Sequence, residues 1–311
     1  MARRRHSSPP DALVLGLFGP TCSGKTAVAE AIAGLIPAEV VSADSMQVYS
    51  GLPILTNQPA SPTHLVGIWE LDHDASVVEY ARVAHATVDA ILARDSTPVV
   101  VGGTGLYFRA ALAELDVPPA PAPGARERWS RLYERLGPEA AHAALAARDP
   151  AAAAAVHPND RRRVVRALEL ADAGSTLRPG RDRLWAGETR HRTFVAGLEV
   201  PREELLRRIE QRTREMMRRG GAEEAREALA RGLSSTAAKV IGLREAAELP
   251  EEEAVAAIAL RTRQYAAYQR KWMRRIPGLV SVRGDRPALE TAREILHLAG
   301  CREPLSARRA G

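Results

Sequence analysis

The stretch that decides the fold is ALVLGLFGPTCSGKT, residues 12–26. Its last eight residues match the phosphate-loop pattern G-x-x-x-x-G-K-[ST]. The apolar run before the loop predicts a buried strand over residues 12–18, and a helix is predicted from about residue 26 to residue 35. The predicted phosphate-binding residues are Gly19, Thr21, Cys22, Ser23, Gly24, Lys25 and Thr26.

This motif predicts a specific chemistry. Backbone N–H groups of the loop close around phosphate oxygens at a helix N-terminus, and Lys25 adds a positive charge. The Thr26 hydroxyl can ligate Mg²⁺, as in nucleotide-binding proteins such as ATPases. The alternative is a glycine turn without function. The flanking strand and helix favour the phosphate site.

Two further apolar runs end in polar or glycine-rich segments. The run AEVVS, residues 38–42, ends just before Asp44, and PVVV, residues 98–101, ends at Gly102. A helix predicted over residues 77–94 lies between them. Short apolar strands separated by helices are typical of a parallel sheet covered on both faces. In such sheets ligands bind at the carboxyl ends of the strands.

The residues after these strands have open roles. Asp44 is a candidate general base or a Mg²⁺ ligand through water, and the alternative is a helix N-cap formed by Asp44 or Ser45. Thr104 can donate to a phosphate oxygen, and Gly102 and Gly103 let the backbone approach a ligand. The alternative for this segment is a tight turn from strand to helix.

The fold predicted from this pattern is α/β, with a parallel sheet that contains the phosphate loop and an inserted all-helical domain. The insertion begins near the Pro-rich segment 117–123, after which residues 125–173 are mostly helical. A further strand is predicted over residues 194–198 and helices near 202–219, 222–231 and 251–275. The predicted domains are a disordered basic arm (1–11), a core (12–115 and 190–283), the helical insertion (116–189), and a C-terminal helix with a flexible tail (284–311).

Composition excludes several classes of protein. The 311 residues are 45% apolar and 26% charged, with a mean hydropathy of −0.22, which is typical of a globular protein. No stretch approaches the roughly 18 apolar residues of a membrane span, so no membrane partner is expected. The two cysteines, Cys22 and Cys301, form no zinc-ligand pattern or disulfide framework. We expect a cytoplasmic, monomeric protein.

Charge is distributed unevenly along the chain. Residues 12–115 carry 4 basic and 10 acidic side chains, whereas residues 190–283 carry 20 basic and 13 acidic side chains. This asymmetry predicts a phosphate-rich partner along the second half. The alternative is a solvated helical surface, because acidic residues are interleaved throughout.

Three helical segments are candidates for contacts with phosphate or RNA. Arg162, Arg166 and Glu169 share one helix face, and the spacing of Arg208 and Arg212 lets them reach one phosphate together. Residues 261–275 interleave cations with aromatic side chains, which suits RNA backbone and base stacking. The alternative for these aromatic side chains is a place in the core.

Several motifs together resemble one family. They are the phosphate loop, DSMQVY (44–49), GGTGLY (102–107), HPND-x-RR-x-x-RALE (157–169), R-I-x-x-R (208–212) and RTRQ-x4-Q-x-x-W (261–272). Their order resembles the tRNA dimethylallyltransferases over residues 13–282. The resemblance implies transfer of a dimethylallyl group from its diphosphate to the exocyclic amine of the adenine just 3′ of the anticodon. The implied partners are the anticodon stem-loop of tRNA and dimethylallyl diphosphate, with Mg²⁺ as cofactor.

The resemblance also assigns roles by position. Asp44 is the implied base that takes the N6 proton, Thr104, Lys25 and Arg212 hold the diphosphate, and Thr26 holds the metal. The implied tRNA-binding residues are Asp44, Ser45, Met46, Gln47, Arg162, Arg163, Arg166, Lys239, Gly242, Arg244, Arg263 and Gln264.

This chain departs from the family pattern at three places. ILTNQP, residues 54–59, replaces I-G-T-A-K-P and loses a lysine; Leu243 replaces a tyrosine; and AAYQ, residues 266–269, replaces A-K-R-Q and loses two cations. Cations within residues 270–275 could offset the last change. These departures concern RNA contacts more than the reaction.

Two other functions fit the motifs less well. One is a phosphate-loop kinase or a prenyltransferase that acts on a free nucleotide, which would not need the basic second half. The other is an RNA-binding protein whose phosphate loop acts only as a nucleoside triphosphatase switch. The set of Lys25, Asp44 and Thr104 argues against the switch.

Overall fold

The computed structural model describes residues 13–114, 122, 124–177 and 187–301. The predicted basic arm, most of the Pro-rich segment 117–123 and the end of the predicted tail, residues 302–311, lie outside the described residues. The chain divides into two compact units. The first combines Met1–Glu114 with Gly187–Gly311, and the second is Leu115–Ala186.

A parallel six-stranded sheet forms the centre of the first unit, which confirms the predicted α/β fold with a phosphate loop. Its strand order is β3-β2-β4-β1-β5-β6. The short outer strands β3 and β6 were not predicted. The strands are β1 (Leu13–Phe18), β2 (Ala38–Ser42), β3 (Thr63–His64), β4 (Thr97–Gly102), β5 (Arg192–Glu199) and β6 (Val280–Arg283).

Helices connect these strands and also form the described part of the second unit. The predicted helices after β1, after β5 and near the C-terminus are present, with ends shifted by a few residues. The helices are α1 (Lys25–Leu35), α2 (Val77–Leu92), α3 (Gly105–Leu112), α4 (Ala125–Arg148), α5 (Pro150–Ala155), α6 (Arg161–Asp172), α7 (Arg202–Arg218), α8 (Gly221–Arg231), α9 (Leu243–Glu248), α10 (Glu251–Met273) and α11 (Ala288–Leu298); a single 3₁₀ turn covers Ala237–Lys239.

Strand register brings the three motif-bearing loops to one edge of the sheet. Phe18, the last residue of β1, pairs with Gly102 of β4 and with Gly197 of β5. Ser42, the last residue of β2, pairs with Val101 of β4. The phosphate loop, DSMQVY and GGTGLY therefore leave the sheet at the same level.

Apolar side chains bury both faces of the sheet. On one face, Leu15 and Leu17 of β1 belong to a buried cluster with Ile32 of α1 and Ile295 of α11. On the other face, the ring of Phe18 packs edge-on against Phe108 of α3, with ring centroids 5.2 Å apart. Because α11 completes this core, the first unit continues past residue 283, where its end was predicted.

The second unit contains its own small core within residues 124–177. Trp129, Leu145 and Leu168 are buried there, contributed by α4 and α6. A non-helical residue, Gly137 with φ 82°, precedes Pro138 and kinks α4. Among the helices of the described ranges, none has the length and apolar character needed to cross a membrane.

Candidate active site

The phosphate loop wraps around the N-terminus of α1. Cys22 and Gly24 both adopt left-handed backbone conformations, with φ of 63° and 91°. The side chain of Ser23 is buried, and its Oγ has no hydrogen-bond partner in the described part of the chain. A buried hydroxyl without a partner, beside N–H groups at a helix N-terminus, suits a phosphate oxygen.

Lys25 is folded back onto this loop. Its Nζ donates to the carbonyl oxygens of Gly19 at 2.9 Å and Pro20 at 2.8 Å. Burial lowers the pKa of Lys25 to about 8, while the charge of Asp44 acts in the opposite direction and that of Arg212 lowers it further. The structure therefore brings together Lys25, Asp44 and Arg212, which lie far apart in the sequence.

Asp44 closes a turn rather than a helix. Its Oδ1 accepts a hydrogen bond from the backbone N–H of Met46 at 2.9 Å, and the residues that follow form turns. The N-cap interpretation is therefore wrong, because no helix starts here. Within the described ranges Oδ2 accepts no hydrogen bond, so one carboxylate oxygen is available to a ligand.

Thr104 connects the segment after β2 to a distant helix. Its Oγ1 lies 3.4 Å from both the backbone N and the Oγ of Ser45. Tyr265 of α10 places its hydroxyl 3.1 Å from the same Oγ1. Burial, and to a smaller extent the charge of Asp44, raise the pKa of Tyr265, so this phenol stays protonated. Thr104, Ser45 and Asp44 thus occupy one site.

The glycines of GGTGLY serve packing and not the approach of a ligand, which corrects the prediction. A Cβ on Gly102 would lie 2.3 Å from the carbonyl oxygen of Ala43. A Cβ on Gly103 would lie 2.2 Å from Nε2 of Gln269, and one on Gly105 would lie 2.0 Å from the ring of Trp272. Larger residues would separate the strand end from α10.

One face of α10 covers the site. Gln269 accepts a hydrogen bond from the backbone N–H of Thr21 at 2.7 Å, so the amide of this predicted phosphate-binding residue is already occupied. Tyr265 and Trp272 contact the GGTGLY segment, which favours the alternative that these two rings pack against the protein. The ring of Tyr268 is the exposed one, at 54%. The motif RTRQ-x4-Q-x-x-W signals this face, but sequence alone does not identify its partners.

The side chain of Gln47 is held by protein groups. Its Oε1 accepts from Ser42 Oγ at 2.8 Å, and its Nε2 donates to the carbonyl oxygens of Thr56 at 3.3 Å and Asn57 at 3.0 Å. Gln47 therefore anchors the loop that follows, while Ser45 and Met46 stay half-buried beside Asp44.

Gln58 occupies the position where the family pattern has lysine. Its Nε2 donates to the carbonyl oxygens of Gln47 at 3.3 Å and Tyr49 at 2.7 Å. A neutral amide thus supports the DSMQVY segment from this position. At this first departure from the family pattern, a neutral side chain that makes two hydrogen bonds stands in place of a charged one.

Two arginines of α7 lie near the phosphate loop. Arg208 Nη1 donates to the carbonyl oxygen of Gly284 at 3.3 Å and lies 4.0 Å from the position of a Cβ on Gly24. Its Nε is bound by Glu204 at 2.6 Å. Arg212 is half-buried and forms no hydrogen bond or ion pair with the described residues. Of this pair, Arg212 is the guanidinium without a protein ligand.

The predicted RNA-binding residues of the first unit fall into two groups. Lys239, Arg244, Arg263 and Gln264 are exposed, and Arg263 lies 3.6 Å from a carboxylate of α7. Gly242 is instead buried at φ 92°, where a Cβ would lie 3.2 Å from Ile258. Its role is therefore structural.

The predicted arginine face of α6, in the second unit, also contains both exposed residues and one that is bonded within the protein. Arg162 and Arg163 are exposed. Arg166 Nη1 instead donates to Glu169 at 3.0 Å, and Arg126 Nε donates to the other oxygen of that buried carboxylate at 2.9 Å. A buried carboxylate requires such partners. Arg166 therefore stabilises the helical unit; the sequence placed it on one face with Glu169 but did not show that this carboxylate is buried.

Few metal ligands are available in the described ranges. No group of three or more His, Cys, Asp or Glu side chains lies close enough together there to hold an ion. Thr26 is half-buried and follows Lys25, and the charge of the Asp44 carboxylate acts on Lys25. Such a sparse set fits a cation that keeps its waters and binds substrate phosphates.

Known proteins resemble this chain over most of its length. Residues 47–276 match the sequence model of the IPP transferase family, and residues 13–67 match that of isopentenyl transferase. A tRNA dimethylallyltransferase from Corynebacterium jeikeium is 39% identical over 286 residues, covering 88% of this chain and 92% of that protein. One from Streptomyces coelicolor is 38% identical over 284 residues, covering 87% and 90%.

Solved structures share the fold. The tRNA isopentenylpyrophosphate transferase of Bacillus halodurans has a TM-score of 0.66 and 28% identity, covering 93% of this chain and 97% of that chain. A eukaryotic dimethylallyltransferase acting on tRNA has a TM-score of 0.77, with 97% and 82% covered; at 23% identity it supports the fold alone. The extent of the family match and the identity to these relatives show that the chain belongs to the IPP transferase family.

Proposed function

We propose that this protein transfers a dimethylallyl group from dimethylallyl diphosphate to N6 of the adenine 3′-adjacent to the anticodon of tRNA. The observation that carries the proposal is the convergence of three strand ends, which places Lys25, Asp44 and Thr104 in one site. The relatives from Corynebacterium jeikeium and Streptomyces coelicolor are tRNA dimethylallyltransferases, which supports the same reaction.

The reaction breaks the bond between C1 of the allyl group and its diphosphate oxygen and forms a bond between C1 and N6. The phosphate loop would receive the diphosphate, with Lys25 and Arg212 compensating its charge. The Oδ2 of Asp44, which accepts no hydrogen bond from the described residues, would take the N6 proton. Thr104 would donate its hydroxyl to the departing diphosphate.

The polar groups beside the phosphate loop fit a divalent cation, which we take to be Mg²⁺. The Thr26 hydroxyl would hold it together with phosphate oxygens of the donor. When bound, such an ion neutralises charge on a leaving diphosphate. The orphaned hydroxyl of Ser23 would bind a phosphate oxygen directly.

The acceptor adenine has to leave its stack to reach Asp44. Ser45 and Met46 lie beside Asp44 and would contact the extruded base. Exposed cations would bind the phosphates of the anticodon stem-loop. Those in the described ranges that we assign this role are Arg162, Arg163, Lys239, Arg244 and Arg263, with Gln264 as a neutral partner.

Incubation of the protein with radiolabelled dimethylallyl diphosphate and total tRNA tests the proposal. The expected result is label in a single modified adenosine after digestion of the tRNA, with an initial rate of labelling about 10²- to 10⁴-fold lower for Asp44→Asn. Parallel reactions offer adenosine monophosphate as acceptor or a nucleoside triphosphate as substrate. Label in the free nucleotide, or hydrolysis of the triphosphate without prenyl transfer, would contradict the proposed function.

A further inference from the structure

Gln269 lies between two loops of the site, the phosphate loop and the GGTGLY segment. It is 2% exposed, and its Oε1 accepts the N–H of Thr21 in the phosphate loop at 2.7 Å. Its Nε2 lies 2.2 Å from the position that a Cβ on Gly103 would take, and the Gly19 carbonyl oxygen lies 2.9 Å from that same position. One buried amide therefore contacts both loops.

Two neighbouring residues on the same face of α10 contact the GGTGLY segment. Tyr265, four residues before Gln269, contacts Thr104 through its hydroxyl, and Trp272, three residues after it, covers Gly105. These spacings place all three side chains on one helix face. On that face, Gln269 is hydrogen-bonded to the phosphate loop.

The reaction requires the C1 carbon of the donor to lie in line with N6 of the adenine. The phosphate loop would fix C1 through the diphosphate, and the segment that carries Asp44, which Thr104 contacts through Ser45, would fix N6. These loops leave different strands, and the sheet register aligns only their starting points. A contact beyond the strand ends must set the distance between them, and misplacement by about 1 Å can cost a hundredfold in rate.

We propose that Gln269 is a positioning residue that holds the phosphate loop against GGTGLY and so aligns donor with acceptor. This inference rests on the proposed function and deepens it. Gln269 touches neither substrate in this role; it acts through Thr21 and the backbone of Gly103. Its loss is expected to reduce turnover while each loop still binds its own ligand.

Gln269→Met tests the proposal because methionine has a similar length but neither accepts from Thr21 nor donates. We expect kcat for prenyl transfer to fall about 10- to 100-fold. The KM for the donor and the affinity for inorganic diphosphate, measured by calorimetry, should stay within about threefold of the parent. The matched control is Thr262→Val, which removes a buried hydroxyl from the same helix that is bonded to neither loop in the described ranges.

The control separates positioning from folding. The melting temperatures of the two variants should be similar, while only Gln269→Met loses turnover. Equal kcat for the two variants, or a loss of diphosphate affinity that accounts for the loss of rate, would overturn the proposal. If Gln269→Met does not fold, Gln269→Asn replaces it under the same criteria, because its amide is one methylene too short to reach Thr21.

A double-mutant cycle tests whether Gln269 acts through the Thr104 segment. Because the alignment set by Gln269 is what brings the Thr104 hydroxyl to the leaving group, Gln269→Met combined with Thr104→Ala should lose less rate than the product of the two single losses. A fully multiplicative loss would overturn the coupling. Absence of prenyl transfer by the parent protein would instead contradict the proposed function itself, so the two failures are distinguishable.

Discussion

Ser45 and Thr104 meet across the ends of two neighbouring strands, with the Ser45 N and Oγ atoms both 3.4 Å from Thr104 Oγ1. Ser45 follows the candidate base Asp44, and Thr104 begins the helix that follows β4. The Thr104 hydroxyl therefore lies beside the residue that follows the candidate base. In the proposed reaction it also contacts the leaving diphosphate. Its orientation depends on Tyr265 from a third element.

Thr104→Ala is expected to lower kcat about 10- to 100-fold, because one charge-assisted hydrogen bond of roughly 1.5–3 kcal/mol is lost. Thr104→Ser keeps the hydroxyl and should retain most of the rate. Single-turnover rates at saturating donor measure both variants. Parental rates for Thr104→Ala would show that GGTGLY is only a turn.

Asp44→Asn is expected to lower kcat about 10²- to 10⁴-fold while the affinities for donor and tRNA stay within a few-fold, since a general base acts only in the transition state. Steady-state kinetics across a Mg²⁺ titration provide the measurement. Asp72→Asn, which changes an exposed carboxylate in the segment between β3 and α2, is the control. Recovery of parental kcat at high Mg²⁺ would instead identify Asp44 as a metal ligand.

The affinity for inorganic diphosphate should fall as the pH rises through about 8, where the buried ammonium of Lys25 in the free protein loses its proton. The sign follows from charge: the protonated lysine attracts the anion and the neutral amine does not. Lys25→Arg keeps its charge throughout this range, so its affinity should lack this step. Calorimetric titrations between pH 6.5 and 9.5, at buffer intervals of roughly half a unit, compare the two proteins. An identical pH dependence for both would remove Lys25 as its source.

Neutralising Arg162 and Arg163 together should flatten the dependence of tRNA affinity on salt by about two phosphate contacts. Arg166→Ala should instead lower the melting temperature, because buried Glu169 loses one of its two arginine partners. Binding titrations at several salt concentrations and thermal unfolding distinguish the two effects. An unchanged slope in the double variant would place the phosphate contacts elsewhere.

The sheet and its loops were predictable because they are encoded locally. Short apolar runs mark β1, β2 and β4, and the residues that follow each run are chemically distinctive. The outer strands β3 and β6 were missed because they are short and partly exposed, so neither carries a continuous apolar run.

The candidate site was predicted less completely than the sheet. Lys25, Asp44 and Arg212 were identified by motif and do lie together. The contact between Gln269 and Thr21 joins residues 248 positions apart, and no local pattern specifies such a pairing. The bond between Arg166 and Glu169 shows a similar limit: the sequence places both residues on one helix face but does not show that the carboxylate is buried.

The lengths of the outer strands also affect how separate molecules meet. β3 pairs through only two residues and β6 through four, so the exposed edges of the sheet offer little backbone for a strand from another copy. Glu39 of β2, next to the edge strand β3, forms ion pairs with His64 and Arg94, so charged groups lie at this edge of the sheet. These short, charged edges therefore disfavour edge-to-edge aggregation of the sheet. We expect concentrated solutions of the folded protein to form no fibrils.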